Sequence, residues 1–125
     1  MTKRHESVED YLERILMLNQ RLGNVRSIDI ANDMSFSKPS VSIAMKKLRE
    51  SDYIQIDSNG FITLTEKGYC IASEIYDRHL TLAKTLIALG VDEKIAFQDA
   101  CRVEHDLSQE SFDKIKSYYR SNIKK

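Results

Sequence analysis

Apolar residues recur at helical spacing along most of the chain and alternate strictly in one short stretch. Tyr11, Leu12, Ile15, Leu16 and Leu18 predict a first helix from about Val8 to Arg21, with Ser7 and Asp10 as a capping box and Gly23 beyond its end. Ser27 is the expected cap of a short second helix carrying Ile28, Ile30, Ala31 and Met34. Ser37 caps a third, with Pro39 in the first turn, where a missing N–H is harmless, and Val41, Ala44, Met45 and Leu48 on one face. Tyr53–Ile56 and Phe61–Leu64 then alternate with period two, and Asn59-Gly60 between them favours the positive φ angles of a tight hairpin turn. Thr65 caps a long fourth helix, striped by Ile71, Ala72, Ile75, Tyr76, Leu80, Ala83, Leu86 and Ile87 and ended by Gly90. Asp92 caps a fifth helix to about Val103, and Ser108 a sixth with Phe112, Ile115 and Tyr119 spaced to pack.

Helix, helix, short turn, helix, hairpin is the order of a winged helix-turn-helix. The predicted fold is mostly α with a small β-hairpin wing. A winged helix-turn-helix domain over residues 1–70 is followed by an α-helical domain over residues 71–125. Four Gly and one Pro argue against a turn-rich all-β protein, and 42% hydrophobic residues argue against a disordered tail. No apolar run approaches the ~20 residues of a membrane span, and Met1–Glu6 does not read as a signal peptide. Cys70 and Cys101, with no CxxC, read as reduced thiols of a cytoplasmic protein without a membrane partner, and Cys70 as a packing residue.

Lys plus Arg equals Asp plus Glu at 19 each, so bulk charge does not announce a nucleic-acid binder. The balance breaks locally. Ser35–Arg49 holds Lys38, Lys46, Lys47 and Arg49 and no acid, on the helix that would enter the major groove. The candidate DNA-contacting residues are Arg26, Ser37, Lys38, Pro39, Ser40, Ser42, Lys46 and Lys47. Lysines suit phosphates, short hydroxyls approach bases or phosphates closely, and Pro39 offers an apolar face to a thymine methyl. The expected partner is double-stranded DNA with a palindromic operator, bound by a homodimer. Leu86, Ile87, Leu89, Val91, Ile95, Phe97 and Val103 exceed the needs of one small core and provide apolar surface for the second copy.

Cys101, Glu104 and His105 stand at i, i+3 and i+4, which on a helix brings a thiol, a carboxylate and an imidazole to one face, a ligand set for a divalent metal. Asp10 and Glu13 share a face of the first helix, and His79 lies on the fourth; together these six residues have the types to surround one or two ions. Each has a plainer reading: Asp10 and Glu13 as a solvated acidic stripe, with Asp10 also claimed by the cap; Cys101 as a small core residue; His79 as a surface histidine; His5 as part of a frayed terminus. A Cys101–His105 pair also imitates a thiolate–imidazole catalytic pair, but no oxyanion-hole motif or third orienting residue accompanies it, so no enzyme is expected. A winged-helix regulator answering to an organic ligand, or to nothing, is the other alternative.

The stretches Glu6–Glu13, Val25–Ala31, Ser37–Ser42, Leu64–Gly68, Arg78-His79, Leu89–Asp92 and Asp99–His105 run in order along nearly the whole chain. In them the chain resembles the metal-dependent repressors of the diphtheria-toxin-repressor and manganese-transport-regulator type. The resemblance implies a winged-helix DNA-binding domain over residues 1–70, an α-helical dimerisation and metal-binding domain over residues 71–125, and repression of metal-uptake genes when the metal is plentiful. It places Asp10, Glu13, His79, Cys101, Glu104 and His105 on the metal-ligand positions, and Ser37, Pro39 and Ser42 on the DNA-contacting helix. The chain stops at Lys125, as in the short manganese sensors without an SH3-like third domain. Cys101 matches the iron sensors and Asp10 the manganese sensors, whereas Ala83 stands where many members place a carboxylate supporting a second ion. The expected metal is Mn(II), then Fe(II), with Zn(II) or Co(II) able to bind in vitro.

Overall fold

The computed structural model describes residues 3–123, with side chains from Val8 onward; Ser7 as a side-chain cap and His5 at a frayed terminus lie outside the described side chains. The chain divides into two compact units, one through Ser73 and one from Glu74.

The first unit contains α1 (Lys3–Leu22), α2 (Ser27–Met34), α3 (Lys38–Glu50), β1 (Ile54–Ile56), β2 (Ile62–Leu64) and the first turns of α4 (Glu66–Ala88). α1 packs on α2 and β2, α2 on α3, and α3 on β1. Leu12, Ile15, Leu18, Val25, Ile30, Val41, Met45, Leu48, Ile54 and Ile62 are all buried. The apolar periodicity therefore picked out the buried faces of the first three helices. The helix starts were read less well. α1 begins by Lys3, so Ser7 lies inside it rather than at its cap. Arg26, not Ser27, is the N-cap of α2, and the Asp29 carboxylate accepts the Arg26 backbone N–H at 2.9 Å. Ser37 does cap α3, its Oγ accepting from the Ser40 N–H at 3.3 Å with Pro39 in the first turn.

The wing is an antiparallel pair in the register Ile54–Leu64, Gln55–Thr63, Ile56–Ile62. Its connection is longer than the expected tight turn. Asp57 closes it by accepting the Asn59 and Phe61 N–H groups on Oδ1, each at 2.9 Å, and only Gly60 takes a positive φ, +84°. Behind β2 the Thr65 hydroxyl accepts the Gly68 N–H at 3.1 Å and donates to the Asp52 carbonyl at 2.7 Å. This seats the start of α4 on the root of the wing, with Gly68 pressed against the Tyr53 backbone.

The second unit contains the rest of α4, α5 (Glu93–Val103) and α6 (Gln109–Asn122). Asp92 caps α5, accepting from the Lys94 and Ile95 N–H groups, and Ser108 caps α6 through the Ser111 N–H, as expected. Leu82, Ala83 and Ala100 form a buried cluster packed by Phe97, Leu107 and Ile115. The α4 stripe is shifted from its sequence reading: Leu82 is buried, whereas Tyr76, Leu80, Leu86 and Ile87 are half-exposed. Leu89, Ile95 and Val103 are exposed, as apolar residues in excess of a single core should be. Cys70 is exposed on α4 and does not pack, contrary to the expectation, because the residues buried on this part of the helix are Gly68, Ala72 and Ile75. Among the described residues, no helix is long and apolar enough to cross a membrane.

A Cβ at Gly68 would be driven into the Tyr53 carbonyl oxygen, and backbone cannot swing aside as a side chain can. Gly68→Ala should lower stability by about 2–3 kcal/mol, the upper range for overpacking. Gly60→Ala meets nothing within 4 Å but keeps the positive φ, and should lose only about 1 kcal/mol. Urea denaturation of both variants checks the order; equal losses would mean that the contact between wing root and α4 is not tight.

Candidate functional site

Two features stand out, one in each unit. In the second, α4 supplies His79 while α5 and its C-cap supply Cys101 and Glu104. Ala96 and Ala100 are fully buried on α5; such small side chains let helices approach closely. One donor atom from each of His79, Cys101 and Glu104 lies within 4.8 Å of the other two. An ion about 2.0–2.3 Å from each donor in tetrahedral geometry holds neighbouring donors about 3.3–3.8 Å apart, so donors grouped within 4.8 Å need only side-chain movement of about an ångström to close on one ion. Glu104 has 0% exposure. His79 Nδ1 lies 3.9 Å from one of its carboxylate oxygens, and His105 Nε2 lies 3.6 Å from the other. The His79 ring also lies against Phe97, centroids 5.8 Å apart. An imidazole, a thiol and a buried carboxylate, backed by a second imidazole, form a donor set that fits a divalent cation.

The expectation that Cys101, Glu104 and His105 share one helical face needs correction. α5 ends at Val103, Glu104 is its C-cap, and the Asp106 and Leu107 N–H groups both turn back to the Val103 carbonyl. His105 therefore sits in a turn, and the three donors that converge are Cys101, Glu104 and His79. His79 is thus no ordinary surface histidine. Asp10 and Glu13 lie on α1 in the first unit; Glu13 is buried, so it is not part of a solvated stripe. Ala83 is fully buried in the apolar cluster, so this position offers packing and no ligand.

In the first unit, α3 buries Val41, Met45 and Leu48 and exposes Lys38, Pro39, Ser40, Ser42, Lys46, Lys47 and Arg49. Ser37 is exposed beside them, its hydroxyl donating to the Ser40 Oγ at 2.8 Å. Arg26 is also exposed, its guanidinium 4.6 Å over the Phe61 ring beside the wing. The sequence reading missed Ile43, an exposed β-branched residue among these polar ones. It also missed Arg78, which is buried beside His79 although its residue type belongs at the surface.

Residues 4–60 match the iron dependent repressor N-terminal DNA binding domain, and residues 65–122 match the iron dependent repressor metal binding and dimerisation domain. The chain is 36% identical over 115 residues to an HTH-type transcriptional regulator of Methanocaldococcus jannaschii, covering 90% of this chain and 92% of that protein. It is 36% identical over 110 residues to the transcriptional regulator MntR of Salmonella typhimurium, covering 88% of this chain and 70% of that one. Among solved structures, the manganese regulator SloR superposes with a TM-score of 0.77 at 30% identity, over 90% of this chain and 53% of SloR. A manganese-dependent transcriptional repressor in complex with manganese superposes with a TM-score of 0.80 at 25% identity, over 88% of this chain and 51% of that one. The chain thus spans about half the length of these two structures.

If the three donors bind one ion, Co(II) should give the near-ultraviolet charge-transfer band of a cobalt–thiolate bond. Cys101→Ser should abolish that band while binding persists. His79→Ala and Glu104→Gln should each weaken binding by more than the roughly tenfold typical of losing a group that only supports a ligand. A spectrum unchanged in all three variants would remove these residues from the site.

Proposed function

Because the chain belongs to the iron-dependent repressor family of metal-responsive transcription regulators, we propose that it is a manganese-responsive repressor of metal-uptake genes. It acts as a homodimer on a palindromic operator. The observation that carries this reading is the convergence of His79, Cys101 and Glu104 inside the region matched as a metal-binding domain. His105 is proposed as a further ligand from the same turn, and Asp10 and Glu13 as the ligands that the family resemblance adds. The proposed DNA contacts are Arg26, Ser37, Lys38, Pro39, Ser40, Ser42, Lys46 and Lys47, which the fold leaves exposed. The protein works in the cytoplasm by binding rather than catalysis, the Cys101–His105 pair having no role as nucleophile and base.

The proposed control is linkage. A divalent cation supplies positive charge beside the buried Glu104 carboxylate and the other acidic ligands. Glu104, Asp10 and Glu13 repel one another when gathered without it, so a conformation that gathers them binds the cation more tightly than one that does not. DNA affinity then shifts by that difference, typically about 1–3 kcal/mol.

Manganese is a hard ion near the weak end of the divalent order, selected by ligand number and geometry. The carboxylates and imidazoles suit it, and the manganese regulator SloR and a manganese-dependent repressor both superpose well on this chain. One observation favours a second reading, Fe(II): the Cys101 sulfur is among the three convergent donors, and thiolates prefer softer ions.

Fluorescence anisotropy on an operator duplex tests the main reading. Mn(II) should tighten binding about 5–150-fold over chelator, and equal affinities would overturn it. Lys46→Ala and Lys47→Ala should weaken all sequences alike and lower the salt slope by about one each, whereas Ser42→Ala should alter sequence preference. Cys101→Ala should leave the manganese response largely intact while weakening Co(II), and Asp10→Met should lose the manganese preference. The reverse pattern, with Cys101→Ala silencing every metal and Asp10→Met changing none, would mean that the thiolate dominates and would overturn the manganese assignment.

A further inference from the structure

Three consecutive residues of α4 reach three different places. Asp77 ion-pairs with Lys116 of α6 at 2.6 Å. His79 meets Glu104. Between them, Arg78 is buried, its Nη2 donating to the Leu107 carbonyl at 2.6 Å and its guanidinium lying 5.0 Å over the Phe112 ring. Residues adjacent on a helix project in different directions, so Arg78 and His79 cannot both face the donors. Arg78 instead grips the far end of the segment that carries Glu104 and His105.

That segment is held at both ends. On its N-terminal side the Glu104 N–H bonds to the Ala100 carbonyl, and Asp106 and Leu107 both bond to Val103. On its C-terminal side Leu107 is packed against the buried cluster and its carbonyl is taken by Arg78. The Arg78 bond is a direct polar tie between this turn and the helix that bears His79. A buried guanidinium is tolerated where a carbonyl and an aromatic face share its charge, an arrangement that uses the planar fork and that an ammonium does not reproduce.

We propose that Arg78 is a positioning residue for the metal centre, fixing the separation of His79 from the Glu104–His105 turn without itself being a ligand. This rests on the metal reading above. Groups that orient ligands from behind typically carry about tenfold to a hundredfold in metal affinity. Asp77 is the internal control: its pair with Lys116 also ties α4 to α6, but it does not touch the turn.

The test is Co(II) and Mn(II) titration of the full chain and of Arg78→Lys, Arg78→Met and Asp77→Ala, with amide hydrogen exchange on the metal-free proteins. Both Arg78 variants should weaken both metals about tenfold or more and shift the Co(II) ligand-field bands. Exchange at Asp106 and Leu107 should quicken even without metal. Asp77→Ala should stay within about twofold of the parent, since a part-exposed ion pair contributes little. Arg78 variants that are folded and bind both metals like the parent overturn the proposal, as does Asp77→Ala weakening the metals equally. A parent whose Co(II) spectrum is unmoved by Glu104→Gln overturns the metal reading itself, and this inference falls with it.

Discussion

A carboxylate with no solvent exposure, Glu104, is the constraint around which the second unit is organised. Removing a carboxylate from water costs several kcal/mol unless positive charge and hydrogen-bond donors surround it. Two imidazoles approach it from opposite oxygens, one from α4 and one from its own turn. The packing follows from that requirement. Alanines on α5 let the helices come close, Phe97 backs the His79 ring, and Arg78 anchors the turn that presents the acid. An apolar side chain at position 104 would fill the space with less electrostatic penalty. The buried acid is therefore better understood as a binding group than as a source of stability.

The first unit resolves how a chain of zero net charge holds a cationic surface. Three of its aspartates are engaged internally. Asp33 pairs with Arg14 and Arg21, Asp29 accepts the Arg26 backbone N–H, and Asp57 accepts two N–H groups of the wing loop. Lys67 is likewise occupied, donating to the Ser51 carbonyl and lying over the Tyr53 ring. The lysines of α3 have no acid on their own helix before Glu50. Charge balance over the whole sequence thus coexists with a one-signed helix face, and electrostatic attraction to phosphate depends on the face.

Much of this was legible in the sequence because caps are local chemistry. Ser37, Thr65, Asp92 and Ser108 each accept a backbone N–H two or three residues on, a bond that three neighbouring letters are enough to specify. The same rule failed at Ser7 and Ser27, where a plausible cap stands inside a helix and at its first residue. Helix starts are decided by competition among neighbouring caps, and the Asp29 carboxylate settles one of them in favour of Arg26. Cys70 was misread because a cysteine's general preference for burial does not say which face of a helix it takes, and at about 100° per residue a step of two from the buried Gly68 carries a side chain from core to solvent. The candidate donors were legible as residue types. Which of them converge depended on where α5 stops, and helix ends are the least legible feature of a sequence.

Ala83 narrows how the centre can discriminate among ions. The α4 position one turn beyond His79 is committed to the apolar cluster with Leu82 and Ala100, so α4 offers the His79 imidazole and no carboxylate at position 83. The oxygen donor of the convergent set comes instead from the turn after α5, through Glu104. For a convergent set of imidazole, thiol and carboxylate, affinity alone favours the ions at the strong end of the divalent order. Preference for a weaker binder such as manganese has to arise from geometry, from holding donors at separations that a smaller or softer ion cannot use without strain. Geometry of that kind is only as good as the stiffness of the backbone that carries it. Rigidity is therefore demanded most in the turn carrying Glu104 and His105, which lacks the regular hydrogen bonding of a helix and is braced by α5 on one side and by the Arg78 guanidinium on the other.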